Sequence, residues 1–261
     1  MTNIIYSEKP KLTNPILIEG LPGVGNIGRV AVGYLVEELK AKKFATLNSE
    51  WFFPFVMLQE NYLIHLPVNE FYYYKGKNKG ERDLILLIGD CQSLTPQGHY
   101  AVSEKILELT EAFGCKEIVT IGGLATGEIE EQPKVVGAVS DKKLLEKYKT
   151  LGIDFNAGEK VGYIVGAAGL LIGLGKQKGI DGICLLGETS GFPIVTDPKS
   201  AEIVLSTLVK ILGMKLNMGK LEERVKEMEN FIKKVETLQK KALTQISKGD
   251  KPGKDETRYI G

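Results

Sequence analysis

The segment "LIEGLPGVGNIGRVAVGYLVEEL", Leu17 to Leu39, decides the fold. Its first part, with Pro15 to Glu19, is an apolar run that predicts a short buried strand. From Asn26 to Lys42, apolar residues recur at helical spacing (Ile27, Val30, Ala31, Tyr34, Leu35, Leu39), with Asn26 as the expected N-cap. Between them, Gly23, Gly25 and Gly28 spell G-x-G-x-x-G, the spacing that cradles a pyrophosphate in dinucleotide-binding folds. Such a fold also needs an acidic residue about 20 positions on, followed by a second helix and a third parallel strand. Glu50 stands near that position, but Trp51-Phe-Phe-Pro54 and hairpin-like runs follow it. The glycines therefore read as a tight strand-to-helix turn with close backbone packing, and no pyrophosphate is implied.

Outward from this unit the pattern is mixed. Phe55 to Asp90 packs several short β-prone runs together, with turns expected at Glu60-Asn61 and Gly76 to Gly80, so part of the sheet should be antiparallel. Then strands and helices alternate. "LILLIG" is a buried strand, Pro96 to Phe113 a helix ended by Gly114, and "EIVTIGG" and "VVGAVSD" are strands. A short helix is expected over Lys142 to Thr150. The uncharged run Val161 to Gly175 reads as a strand, a glycine turn and a packed helix start; it is too short and glycine-rich for a membrane span. "GICLLGE" is the last core strand, and Asp197-Pro198 opens a helix to Leu212. These elements predict a mixed-sheet α/β domain over residues 1–215.

Past Gly219, Leu221, Val225, Met228, Ile232, Val235, Gln239, Ala242 and Ile246 alternate at spacings of four and three, a heptad seam that predicts an amphipathic helical extension over residues 216–246. Residues 247–261 are nearly devoid of apolar side chains until the last three and read as a flexible tail.

Composition narrows the function classes. Lys and Arg total 34 against 33 Asp and Glu, which gives no electrostatic case for nucleic acid or an anionic membrane as partner. Without a basic stretch followed by an apolar one, the N-terminus is not read as a signal peptide, so a cytoplasmic protein is expected. The 3 cysteines, Cys91, Cys115 and Cys184, lie far apart in apolar segments and suit reduced core thiols. His65 and His99 are isolated, and no Cys or His pair has a ligand spacing, so no metal and no cofactor is expected. "GETSG", Gly187 to Gly191, places Thr189 where a nucleophile elbow needs serine. A Cys91/His99 pair is conceivable across one loop but has no third partner. No catalytic residue is assigned.

Four motifs in order, "GLPGVGNIGRVAVGYLVEEL", "GDCQSLTPQGHYAVSEKIL", "IVTIGGLATGE" and "GICLLGETSGFPIVTDPKSAEIVLSTLVKILG", resemble the archaeal branch of the proteasome assembly chaperone 2 family over residues 10–215. The resemblance implies an α/β sandwich similar to the purine nucleoside phosphorylase type and a non-enzymatic role in protein assembly. It also implies a homo-oligomer, with a paralogous subunit and proteasome α subunits as further candidate partners. Family members that dock on the proteasome end in a hydrophobic residue, tyrosine and any residue. Here the end reads Arg258-Tyr259-Ile260-Gly261, with the tyrosine one position early. The expected partner-binding residues are Tyr259, Ile260 and Gly261 in the tail, and Val225, Met228, Ile232 and Val235 in the seam. The alternative is a small-molecule or nucleotide-binding α/β enzyme using the glycine-rich loops at strand ends.

Overall fold

A computed structural model describes residues 2–58, 62–78, 80–128, 132–156, 162–191 and 196–223. One mixed sheet of nine strands runs through them in the order β1-β3-β6-β7-β2-β8-β11-β9-β10. Its centre is four parallel strands: β7 (Leu84–Gly89), β2 (Ile16–Gly20), β8 (Glu117–Ala125) and β11 (Asp181–Thr189). On one flank β6 (Asn69–Tyr74), β3 (Lys42–Asn48) and β1 (Asn3–Tyr6) follow in antiparallel pairings. On the other, β9 (Val135–Val139) runs antiparallel to β11 and parallel to β10 (Ile153–Asp154). A separate two-stranded ribbon pairs β4 (Met57–Leu58) with β5 (Ile64–His65).

Both faces of the sheet are covered, so the central strands are apolar on both sides rather than alternating. Along β2, Ile16 and Ile18 pack with α1 (Ile27–Glu38), α3 (Lys142–Tyr148) and α5 (Pro198–Leu212). Leu17 points the other way, into a core shared with α2 (Pro96–Ala112) and α4 (Ala167–Gln177). Leu221 is fully buried in the α1/α5 core, and the Tyr34 hydroxyl donates to the Asn217 carbonyl (2.8 Å), so the chain beyond α5 leaves along that face.

Local chemistry sets the helix ends. The Asp197 carboxylate accepts from the Ser200 N–H (3.0 Å) with Pro198 in the first turn, as expected, and Thr95 caps α2 through the Gly98 N–H (3.1 Å). Gly114, at φ +71°, ends α2. Three expectations are corrected. Helix α1 stops at Glu38, because the chain turns at Lys40 (φ +51°) to enter β3, and Asn26 precedes it in a left-handed conformation with no side-chain cap bond. Residues 162–165 are not a strand; they lead as irregular backbone into α4, while β10 supplies the outer strand instead. The Glu60-Asn61 turn and the seam and tail residues Val225, Met228, Ile232, Val235, Tyr259, Ile260 and Gly261 lie outside the described residues.

Candidate interaction surface

Open α/β sheets present their ligands at the carboxyl ends of the parallel strands, where the loops after β2, β7, β8 and β11 meet. The loop after β2 is the glycine turn. Gly25 needs its glycine for a positive φ of 62°. Gly28 needs it for space, since a Cβ there would sit 2.6 Å from the Ile121 carbonyl oxygen of β8. Backbone packs on backbone, and the Asp197 N–H donates to the Gly25 carbonyl (2.8 Å), tying the turn to the start of α5.

The N-terminus of α4 also points to this end, and a helix start of this kind is where an α/β fold can hold an anion. Here a side chain of the chain itself takes the position. Gln92, on the loop after β7, accepts from the Ala167 N–H through Oε1 (2.9 Å) and donates through Nε2 to the Pro22 carbonyl (2.7 Å). One amide thus joins the β7 loop, the glycine turn and α4. Two cavities among the described residues, of about 410 Å³ beside Tyr6, Leu12 and Phe113 and about 510 Å³ beside Ser140, Asp141 and Lys176, are lined by residues away from this end.

Beneath α4 lies a buried polar row. Glu19 of β2 pairs in register with Thr120 of β8, and Thr120 with Cys184 of β11. The Thr120 hydroxyl donates to the Ala168 carbonyl (2.8 Å), and Glu19 Oε1 accepts from the Leu21 N–H (2.9 Å). Burial pushes the Glu19 carboxyl up to about 8, against the lowering effect of hydrogen bonds from the Leu21 and Ile121 backbone. Burial thus favours the protonated acid at Glu19. Burial also raises all three thiols, Cys115 and Cys184 to about 12. All three are free and buried, as expected, and none is poised as a nucleophile.

A second polar cluster fastens the segment after β3 to this end. Asp90 Oδ2 meets His65 Nε2 (3.0 Å) and accepts from the Val68 N–H (3.0 Å), while Arg29 Nη1 lies 3.6 Å from Oδ1 and donates to the Gly89 carbonyl. Asn69, fully buried, satisfies its amide by donating to the carbonyls of Cys91 (3.0 Å) and Val68 (3.1 Å). Trp51 packs on Gly98 at the first turn of α2. Neither His65 nor Gln92 stood out in the sequence, since their partners are distant in the chain. His99 is half-buried on α2.

So fastened, the segment carries apolar side chains outward. Leu58 is 70%, Tyr62 86% and Ile64 72% exposed, and Phe55 and Leu66 are also uncovered. Leu94 before α2, Tyr100 on α2, and Tyr163 and Val165 before α4 are also exposed. Among the described residues no group of three His, Cys, Asp or Glu could hold a metal, and no helix is long and apolar enough to cross a membrane. The arrangement suits contact with another protein, with a small number of buried polar ties behind an apolar front.

The chain is 38% identical to the uncharacterized protein MJ1210 of Methanocaldococcus jannaschii, over 96% of this chain and 93% of that one. Among solved structures it is similar to Pyrococcus furiosus PbaB, described as an archaeal proteasome activator, with 43% identity, a TM-score of 0.85, and coverage of 90% of this chain and 98% of that one. It is also similar to Pyrococcus furiosus PbaA, described as an archaeal homolog of proteasome-assembly chaperone, with 26% identity, a TM-score of 0.71, and coverage of 93% and 99%. The profile of the PAC2 family matches residues 17–236, and the chain belongs to that family, in its archaeal branch.

Proposed function

We propose that this protein is a non-enzymatic, homo-oligomeric assembly factor of the proteasome-assembly-chaperone type, acting in the cytoplasm by presenting binding segments to partner subunits. In this reading residues 1–215 form the scaffold, a sandwich of the purine nucleoside phosphorylase type. Residues 216–246 form an amphipathic helical extension and residues 247–261 a flexible tail. The seam residues Val225, Met228, Ile232 and Val235 pack helices or contact the client. Tyr259, Ile260 and Gly261 dock on proteasome α subunits, and several copies per assembly compensate for weak single contacts. A paralogous chain is a further candidate partner.

The observation that carries this reading is the carboxyl end of the strands. Where an enzyme of this architecture would hold a polar cleft, Gln92 bridges the β7 loop to α4 and the rim is apolar. Likeness to an archaeal proteasome activator and to an assembly-chaperone homolog supports proteasome subunits as the partner class.

Native mass spectrometry of the full chain mixed with archaeal proteasome α subunits tests it. The expected result is a defined oligomer that captures α subunits and loses them when Tyr259→Ala and Ile260→Ala are combined. An oligomer that ignores α subunits at tens of micromolar would contradict the proposal.

A further inference from the structure

Among the described residues, nothing covers the outer side of the β4–β5 ribbon and its flanks. Among the described residues β4 and β5 pair only with each other, and a lone two-stranded ribbon is marginal in water. Its inner side is secured by the His65–Asp90 contact and by Trp51 on Gly98. Among the described residues its outer side carries no compensating charge: residues 51–58 and 62–68 contain no Asp, Glu, Lys or Arg, and Glu60 of the connecting turn lies outside the described residues. Depletion of charge with enrichment of aromatic side chains marks the buried centre of an interface.

Size adds to this. With full areas on the order of 150–250 Å² per large side chain, the 8 exposed apolar residues between 53 and 66 present about 1,000 Å². That exceeds the ~300–600 Å² of the largest apolar patch on an ordinary monomer. It matches the ~800 Å² that one partner contributes to a standard interface.

We infer that this ribbon platform, with Phe55, Leu58, Tyr62, Ile64 and Leu66 at its centre, is the surface through which copies of this chain meet. The inference rests on the homo-oligomeric reading above and gives that reading a location. A patch of this size left bare would drive aggregation, so its occupant must be present whenever the chain is, and a second copy meets that requirement by stoichiometry. Interfaces between identical copies are also the more apolar ones. The chain's own residues beyond 223 are the other occupant within reach, but they depart from the α1/α5 face, where Leu221 and Asn217 are fixed, whereas Trp51 holds the ribbon against α2 on the opposite face.

The test is native mass spectrometry and light scattering of the full chain and three variants. Leu58→Asp/Ile64→Asp charges the platform; Ile5→Asp charges an exposed position on the edge strand β1; Met228→Asp/Ile232→Asp charges the seam. The expected result is that the platform variant falls to a smaller species, with its dissociation constant raised at least a hundredfold, while the Ile5→Asp protein assembles as wild type. Unchanged near-UV circular dichroism would show the platform variant still folded. As a second readout, hydrogen exchange of peptides within 51–58 and 62–68 should slow in wild type between dilute and assembling concentrations.

Wild-type assembly in the platform variant with no exchange protection of these peptides would overturn the inference. So would dissociation by the seam variant alone. If the platform variant keeps its oligomer but loses α-subunit capture, the surface faces the client, and the inference fails while the assembly-factor reading stands. A wild-type oligomer that never captures α subunits but dissociates on charging the platform gives the opposite outcome.

Discussion

At the amino ends of the parallel strands, Glu117 of β8 is enclosed by donors. Its carboxylate accepts from Arg82 (2.7 Å), from Lys147 (2.8 Å) and from the Tyr148 hydroxyl, and Lys143 pairs with Asp181 (2.8 Å) nearby. At the carboxyl ends, Glu19 of β2 is more deeply buried and has no cation beside it among the described residues, and the surface beyond it is apolar. The pKa values of two glutamates on neighbouring strands are thus pushed in opposite directions. Burial works against the charge on Glu117, yet hydrogen bonds from Lys147, Tyr148 and Arg82 outweigh it and hold its pKa below the usual range. The same burial, unopposed by a cation, raises Glu19 to about 8. One end of the sheet is closed by electrostatics; the other is closed by burying a neutral acid and leaves its outer surface to recognition.

The largest expected effect separates these two glutamates by pH. Between about pH 4.5 and 8 the folded state holds a proton on Glu19 that the unfolded chain releases, so this residue lowers stability as pH rises across that window and then levels off. Glu19→Gln mimics the protonated form and should gain on the order of 3–5 kcal/mol over wild type at pH 9 relative to pH 5. Denaturant titrations at both pH values measure it, and parallel curves would mean that Glu19 is ionised in the fold. Glu117 runs the other way: its contribution is present above its unfolded pKa and is lost as pH falls through the lowered folded value.

Glu117→Ala should therefore cost stability at pH 7 and less at pH 3. Because Arg82 and Lys147 keep contact with solvent, the loss at pH 7 is about 2–3 kcal/mol. Assembly should be unaffected, which light scattering checks. Gly28→Ala pushes a methyl group against the Ile121 carbonyl and should cost about 1–3 kcal/mol. Gln92→Ala removes two hydrogen bonds at the carboxyl end and should cost roughly 1–2 kcal/mol in thermal unfolding. The smallest effect is the shift in wild-type melting temperature with ATP, NAD or nucleosides, expected under about 1 °C if no site binds them. A several-degree shift would restore the glycine turn as a ligand site.

How much of this was legible in the sequence depended on distance along the chain. Asp197-Pro198, Gly114 and the turn at Gly25 are local chemistry, and they read correctly. The parallel centre and antiparallel flank were also visible, as runs of apolar residues separated first by helices and then by turns. Gln92 was not legible, because its partners at Pro22 and Ala167 lie 70 and 75 residues away. His65 looked isolated for the same reason, 25 residues from Asp90. Residues 162–165 misled because an apolar, glycine-rich run is compatible with a strand; Tyr163 and Val165 instead stand exposed. The stretch 51–58 signalled hairpins but not exposure, since apolar patterning alone does not distinguish a core strand from an uncovered one.

Hydrogen exchange across the whole chain, at dilute and assembling concentrations and with α subunits or ATP added, tests most directly whether the carboxyl end meets protein rather than a small molecule. The account predicts protection of peptides within 51–58, 62–68 and 92–100 on assembly or on addition of α subunits, with the Arg82 and Glu117 peptides unchanged and ATP without effect. Protection of the Gly23–Gly28 turn by ATP, with no change at the ribbon in any protein mixture, would contradict it.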